Sequence, residues 1–248
     1  MSERLAVVSG GGTGIGAAVA RALVLDGCSV LVLGRRAEVL RATVERIGAE
    51  SGRPEAIRAV TADLTDPDQA VKVVEAVGGR PVDVLVNNAG GYHSADSDTL
   101  AGIAANWRAT LDTNVLTAVL LTEALRPALR RPGGRVILIS SIAAQRGGGD
   151  AYSAAKAALH GWAYSLAAQL GPDQITVNVV SPGYVAETEF FDGRMTPEGH
   201  AQRVAATLVG RAGLPDDVAE SVRYLASPAA GYVTGQVLGV NGGSVLGR

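Results

Sequence analysis

Seven short runs of aliphatic and β-branched residues recur along the chain, at 5–9, 30–33, 57–60, 82–87, 135–140, 176–181 and 237–240. Ala/Leu-rich stretches of helical length separate most of them. Strands that alternate with helices read as βαβ units, in which successive strands run parallel and helices cover both faces of the sheet. The expected fold is therefore an α/β, doubly wound, seven-stranded parallel sheet flanked by helices. Aromatic residues make up only 4% of the chain while glycine occurs 32 times. Such a core is built from Val, Leu, Ala and Ile, as in a parallel sheet with closely packed helices.

No proline-rich or low-complexity linker divides the chain, so residues 1–248 read as one domain, with turn signals at 132–134 and 146–149. The segment 186–214 breaks the rhythm. It contains Phe190, Phe191, Gly193, Pro197 and Gly199, polar residues at Glu187, Glu189, Asp192 and Arg194, and no clear strand. An irregular insertion of this kind reads as a substrate lid. A net charge of −2 and a pI near 5.9 argue against a nucleic-acid surface. No apolar run approaches the ~20 residues of a membrane span, and the start leads directly into a strand without a signal peptide. A single cysteine, Cys28, excludes an intramolecular disulfide and a cysteine metal cage; it reads as a small buried hydrophobe in a cytoplasmic protein.

The first run leads into Ser9, Gly10, Gly11, Gly12, Thr13, Gly14, Ile15 and Gly16, followed by a strong helix former at 17–23. Glycines let the backbone turn sharply and approach a pyrophosphate, whose charge meets free amides at a helix N-terminus. The spacing is G-x3-G-x-G; a plain tight connection is the alternative. The second run ends Leu33-Gly34-Arg35-Arg36. Gly34 holds the place where a carboxylate would accept from a ribose 2′-hydroxyl, and the arginines that follow suit a phosphate. NADP(H) is favoured on this ground, with NAD(H) as the alternative cofactor and a solvated helix start as the alternative role for Arg35 and Arg36. Asp63, beside Leu64, is placed to accept from an adenine amine. Asn88, Ala89 and Gly90, after Asn87, offer small residues against which a cofactor can lie.

Tyr152 and Lys156 stand four residues apart, which places them on one face of a helix. An unperturbed phenol titrates near ~10. One cation at ~4 Å in a partly buried site supplies about 4 kcal/mol, enough to bring the phenol down by about 2 to 3 units. The pair reads as a proton donor with its own pKa adjuster, needing no metal.

These motifs, with Ser181-Pro182-Gly183, Thr234-Gly235 and Asn241-Gly242-Gly243, resemble the ordered set of the short-chain dehydrogenase/reductase family over essentially the whole chain. The resemblance implies a Rossmann fold and a catalytic set of Asn114, Ser141, Tyr152 and Lys156. In such a set Tyr exchanges the proton at the substrate oxygen and Ser hydrogen-bonds that oxygen. Lys lowers the Tyr pKa and, with Tyr, holds the nicotinamide ribose, while Asn anchors a water leading to solvent. Ser140 is the alternative serine, since the gap to Tyr152 is shorter than the family's; the 146–149 segment would absorb the deletion. Pro182, Gly183, Val185 and Thr188 fall near the expected carboxamide contact, with the threonine one residue late. Asn241 replaces the usual aspartate with no catalytic consequence.

Reductases of 3-oxoacyl groups on acyl carrier protein are similar to this chain in length and motifs. That implies a ketone or acyl-thioester substrate, reduced to a secondary alcohol or formed in reverse, and a basic patch for the acidic carrier. Arg130 and Arg131 are candidates for the patch, although Asp173 places an acid where a base is expected. A redox sensor or scaffold that binds NADP(H) without turnover is the alternative. Tyr92, His93 and Gln145 fall on the ligand side of the sheet, His93 reading as an exposed loop residue. Trp107 and Trp162 read as core or interface. The helices expected at 100–130 and 152–170 carry apolar residues on more than one face, and in the family they pair to form a dimer, usually within a tetramer.

Overall fold

A computed structural model of the protein describes residues 3–93, 99–191, 193 and 195–247. Strands β1 (Leu5–Ser9), β2 (Ser29–Gly34), β3 (Ile57–Thr61), β4 (Val84–Asn87), β5 (Arg135–Ile139), β6 (Thr176–Pro182) and β7 (Val237–Val240) form one sheet in the order β3-β2-β1-β4-β5-β6-β7. Every pairing is parallel. The helices are α1 (Gly14–Leu25), α2 (Ala37–Ser51), α3 (Pro67–Val77), α4 (Leu100–Leu111), α5 (Thr117–Leu125), α6 (Ala143–Arg146), α7 (Ala151–Leu170), α8 (Pro197–Ala205) and α9 (Pro215–Ala226). This is the parallel α/β sheet that the strand rhythm predicts, in the single-domain Rossmann arrangement that the resemblance implies.

Alternation along β1 shows how both faces are used. Ala6 and Val8 pack with Val19 and Leu23 of α1 and with Val222 of α9, whereas Leu5 and Val7 pack with Leu121 and Leu125 of α5 and Leu159 of α7. Full burial of a leucine of this kind contributes about 1.5–3 kcal/mol. Winding reverses between β1 and β4, and the crevice outside the carboxyl ends of strands at such a point is the general ligand position.

The helix expected at 100–130 is interrupted. After α4 the chain takes one π turn at Asp112–Leu116, resumes as α5 and ends in a 3-10 turn at Arg126–Ala128. The expected lid likewise holds a helix, α8, and its ends are joined by a parallel bridge between Val185 and Gly213. Asp192 and Arg194, read as lid residues, lie outside the described residues. Among the described residues no helix is long and apolar enough to cross a membrane.

Candidate active site

The chain leaves β1 through Gly10, whose φ of +64° is the left-handed conformation that glycine adopts at no steric cost. A Cβ on Gly16 would stand 2.1 Å from the Gly10 carbonyl oxygen, so only glycine permits this turn to close on the start of α1. Ser9 Oγ accepts the backbone N–H groups of Asn88 and Ala89, each at 3.0 Å. In return the Asn88 amide donates to the carbonyls of Ser9 at 3.0 Å and Gly10 at 3.1 Å. The loops after β1 and β4 are thereby braced against each other. No acidic residue belongs to the first turn of α1, whose positive end faces the glycine turn.

A cleft of about 690 Å³ follows these loops. One end is lined by Arg35, Arg36, Asp63 and Leu64; the other by Ser141, Tyr152, Lys156 and Phe190. Gly10, Gly12, Thr13, Ile15, Gly16, Asn88, Ala89, Gly90, Pro182, Gly183, Val185 and Thr188 line it between these ends. Ser9, Gly14 and Asn114 stand behind the lining rather than in it. Ser9 is the brace described above, and a Cβ on Gly14 would lie 3.3 Å from Thr188 Cγ2. At the first end Arg35 is exposed, while Arg36 bridges to Glu189 at 2.6 Å. Asp63 accepts from the Thr65 backbone N–H and hydroxyl at 3.0 and 2.8 Å, which holds its carboxyl below the usual range.

At the other end the two serines separate clearly. Ser140 is buried, donates to the Lys156 carbonyl at 2.8 Å and lies 2.9 Å from His160 Nε2. Ser141 accepts from the Ala143 backbone N–H and hydrogen-bonds the Tyr152 phenol. The short loop ahead of Tyr152 is made by Gly147, Gly148 and Asp150, all at positive φ. Lys156 is buried, donates to the Ile139 carbonyl at 3.0 Å and lies 5.7 Å from the centre of the Tyr152 ring.

The expected lowering of the Tyr152 pKa is not what the structure holds. Burial pushes the phenol up to about 12, with the Ser141 hydrogen bond opposing, and burial pulls Lys156 down to about 8. Tyr92 and Phe190 pack on the Tyr152 ring at centroid distances of 6.2 and 5.4 Å. This desolvation disfavours both phenolate and ammonium and outweighs the nearby charge.

Asn114 sits inside the π turn. Its side chain donates to the carbonyls of Gly91 and Thr110 at 2.8 and 2.9 Å and accepts from the Gly91 backbone N–H at 3.1 Å. A Cβ on Gly90 would lie 2.7 Å from Asn114 Oδ1 and 3.0 Å from Lys156 Nζ, so glycine at 90 lets both groups reach one point. A π turn at a functional position is a recurrent device.

Glu187 adopts φ +57°, taking up the extra residue that puts Thr188 one place late. Thr188 Oγ1 returns to the Val185 carbonyl at 3.3 Å. His93 is half-buried beside Thr113 Oγ1 at 2.9 Å rather than exposed. Trp162 packs on the core and Trp107 is 40% exposed. Arg130 and Arg131 do not form a free basic patch beside this chain's cleft. They lie near the amino end of the sheet, where Arg130 pairs with Asp83 and Arg131 with Asp173. Cys28 is buried, and Asn241 is spent on the backbone of Gly243 and Val245. Glu189, Phe190 and Phe191 of the expected lid also line the cleft, in addition to the site residues that the motifs indicate. The signal was present, since the only two phenylalanines of the chain are adjacent there.

A doubly wound sheet with a glycine turn at its switch point and a Ser-Tyr-Lys group beyond it defines an α/β oxidoreductase. A family model described as enoyl-(acyl carrier protein) reductase matches residues 10–244. The chain is 36% identical to the short-chain reductase protein NovJ of Streptomyces niveus, over 97% of this chain and 94% of that one. It is 34% identical to the 3-oxoacyl-[acyl-carrier-protein] reductase FabG of Escherichia coli, over 98% of both. Among solved structures, a blue fluorescent protein from a metagenomic library in complex with NADPH is 35% identical, with a TM-score of 0.86 and 98% of both chains covered. The chain belongs to the short-chain dehydrogenase/reductase family.

Proposed function

We propose that the protein reduces the carbonyl of a ketone or 3-oxoacyl thioester to a secondary alcohol with NADPH, or runs the reverse reaction. The observation that carries this reading is the convergence of Ser141 and Lys156 on Tyr152 at one end of a cleft whose other end bears Arg35 and Arg36. The residues fit a phosphorylated dinucleotide. The Gly10–Gly16 turn leaves no room for a side chain at 16, and the nearby arginines are suited to a phosphate. The NADPH complex of the metagenomic relative supports the same cofactor. The thioester draws support from the 3-oxoacyl reductases and from an acetoacetyl-CoA reductase of Allochromatium vinosum, 34% identical.

When bound, NADPH supplies the hydride. Tyr152 holds its proton up to about pH 12 and delivers it to the substrate oxygen. The Ser141 hydroxyl offers that oxygen a second donor, and preorganised donors are most effective where negative charge develops. Lys156 keeps a positive charge beneath the phenol and favours the charge that remains on Tyr152 once the proton has left. Asn114 positions the Gly90–Gly91 backbone beside Lys156.

Arg35→Ala is expected to weaken NADPH binding roughly tenfold or more, the loss of a charged hydrogen bond, and to leave NADH within about twofold. Equal losses for both cofactors, in fluorescence titration, would remove the basis for the NADP(H) assignment.

The pH dependence has a definite sign. Carbonyl reduction needs Tyr152 protonated, which holds up to about 12, and Lys156 charged, which holds below about 8. Reductive kcat/KM is therefore flat well below pH 8, halves near it and falls above it as Lys156 loses its proton. A rate that rises through pH 8–9 in steady-state assays would contradict this assignment.

Ile103, Trp107 and Leu111 of α4 and Tyr164 of α7 are exposed apolar residues. They support a dimer through these helices, within a tetramer. Light scattering at micromolar concentration should give a mass of at least two chains; a monomer would exclude it.

A further inference from the structure

The three-residue turn Glu189–Phe191 touches both ends of the cleft at once. Glu189 makes a forked pair with Arg36, Nη2 to Oε2 at 2.6 Å and Nη1 to Oε1 at 3.3 Å, and Oε2 also accepts from Thr13 Oγ1 at 3.2 Å. Arg36 follows β2, where the 2′-phosphate is expected, and Thr13 belongs to the glycine turn. The adjacent residue, Phe190, lies on the Tyr152 ring at 5.4 Å and 49°. One short turn thus joins the anion-binding end to the proton donor.

We propose that Glu189 is an internal stand-in for the 2′-phosphate, holding Arg36 until that phosphate displaces it, and that its release draws Phe190 away from Tyr152. The proposal rests on the NADP(H) reading above. A carboxylate and a phosphate offer a guanidinium the same fork of oxygens, but the phosphate carries more charge and a third acceptor. Both partners of the bridge are about half exposed, 57% for Arg36 and 47% for Glu189, so the contact is weak and screened enough to be exchanged. NADH has no group with which to compete and leaves the turn in place. Cofactor choice is thereby coupled to uncovering of the proton donor, and Glu189 acts as a specificity-determining residue.

The test uses the full chain and two small probes that differ only in the 2′-phosphate: adenosine 2′,5′-bisphosphate and adenosine 5′-monophosphate. By calorimetry, Glu189→Gln should tighten the bisphosphate roughly threefold, the size of a lost exposed ion pair, and leave the monophosphate unchanged. No change, a weaker bisphosphate, or an equal change in both overturns the proposal. Arg36→Ala is the control for the underlying reading: if the wild type does not prefer the bisphosphate and Arg36→Ala changes nothing, the phosphate site itself is misplaced. If that preference is present but Glu189→Gln has no effect, only the stand-in fails. Phe190→Trp, read against the wild-type tryptophan background, should change emission with the bisphosphate and not with the monophosphate. Binding of the bisphosphate without an emission change overturns the coupling.

Discussion

Gly16→Ala is expected to lose NADPH affinity by roughly tenfold to a hundredfold, the scale of a lost charge-assisted hydrogen bond. The added Cβ would stand 2.1 Å from the Gly10 carbonyl oxygen and 2.5 Å from the Asn88 amide nitrogen. The Gly10 carbonyl is backbone and cannot rotate out of the way, and the Asn88 amide is held by its bonds to the Ser9 and Gly10 carbonyls. α1 must retreat from the turn, and the Asn88 brace between the loops after β1 and β4 is strained with it. Overpacking of this kind costs about 1–3 kcal/mol, visible as a lowered melting temperature. A variant that melts and binds NADPH like the wild type would show that the turn does not carry the cofactor.

Tyr152→Phe is expected to lower kcat by about a thousandfold, within the usual range for a positioned acid. NADPH affinity should fall by no more than about tenfold, since the substitution removes one neutral hydroxyl and keeps the ring. Ser141 still offers one donor, so a small residual rate is expected rather than none. Stopped-flow turnover and NADPH titration on the same preparation separate the two effects. Lost turnover with retained binding supports the enzyme, whereas a cellular role unchanged by the substitution would support a scaffold.

The sheet was legible because its signal is local. The runs at 5–9 and 237–240 coincide with β1 and β7, and the others differ from their strands by a residue or two at an end. The break at Asp112–Leu116 was not legible, since the side chain within it bonds to Gly91, far along the chain. The same limit explains the Tyr152 pKa. Lys156 is four residues away and was counted, while Tyr92 and Phe190, which bury the ring, approach from distant loops. Arg130 and Arg131 are candidates for the patch that the resemblance implies, but only the fold shows that they sit near the amino ends of the strands with acids beside them. Of two adjacent serines, sequence spacing left both open; the direction of each side chain distinguishes them, Ser140 toward α7 and Ser141 toward Tyr152.

Isotope transfer reports whether hydride is delivered to a carbonyl carbon. Wild-type protein is incubated with NADPH deuterated at C4 of the nicotinamide, on the transferred face, together with a 3-oxoacyl thioester or simple ketone. Mass spectrometry then locates the label in the product. Deuterium on the carbinol carbon of a new secondary alcohol is the predicted result, with about a thousandfold less after Tyr152→Phe over the same time. Label delivered only to the carbon–carbon double bond of an enoyl thioester offered in parallel, with no alcohol formed from any carbonyl, would contradict it.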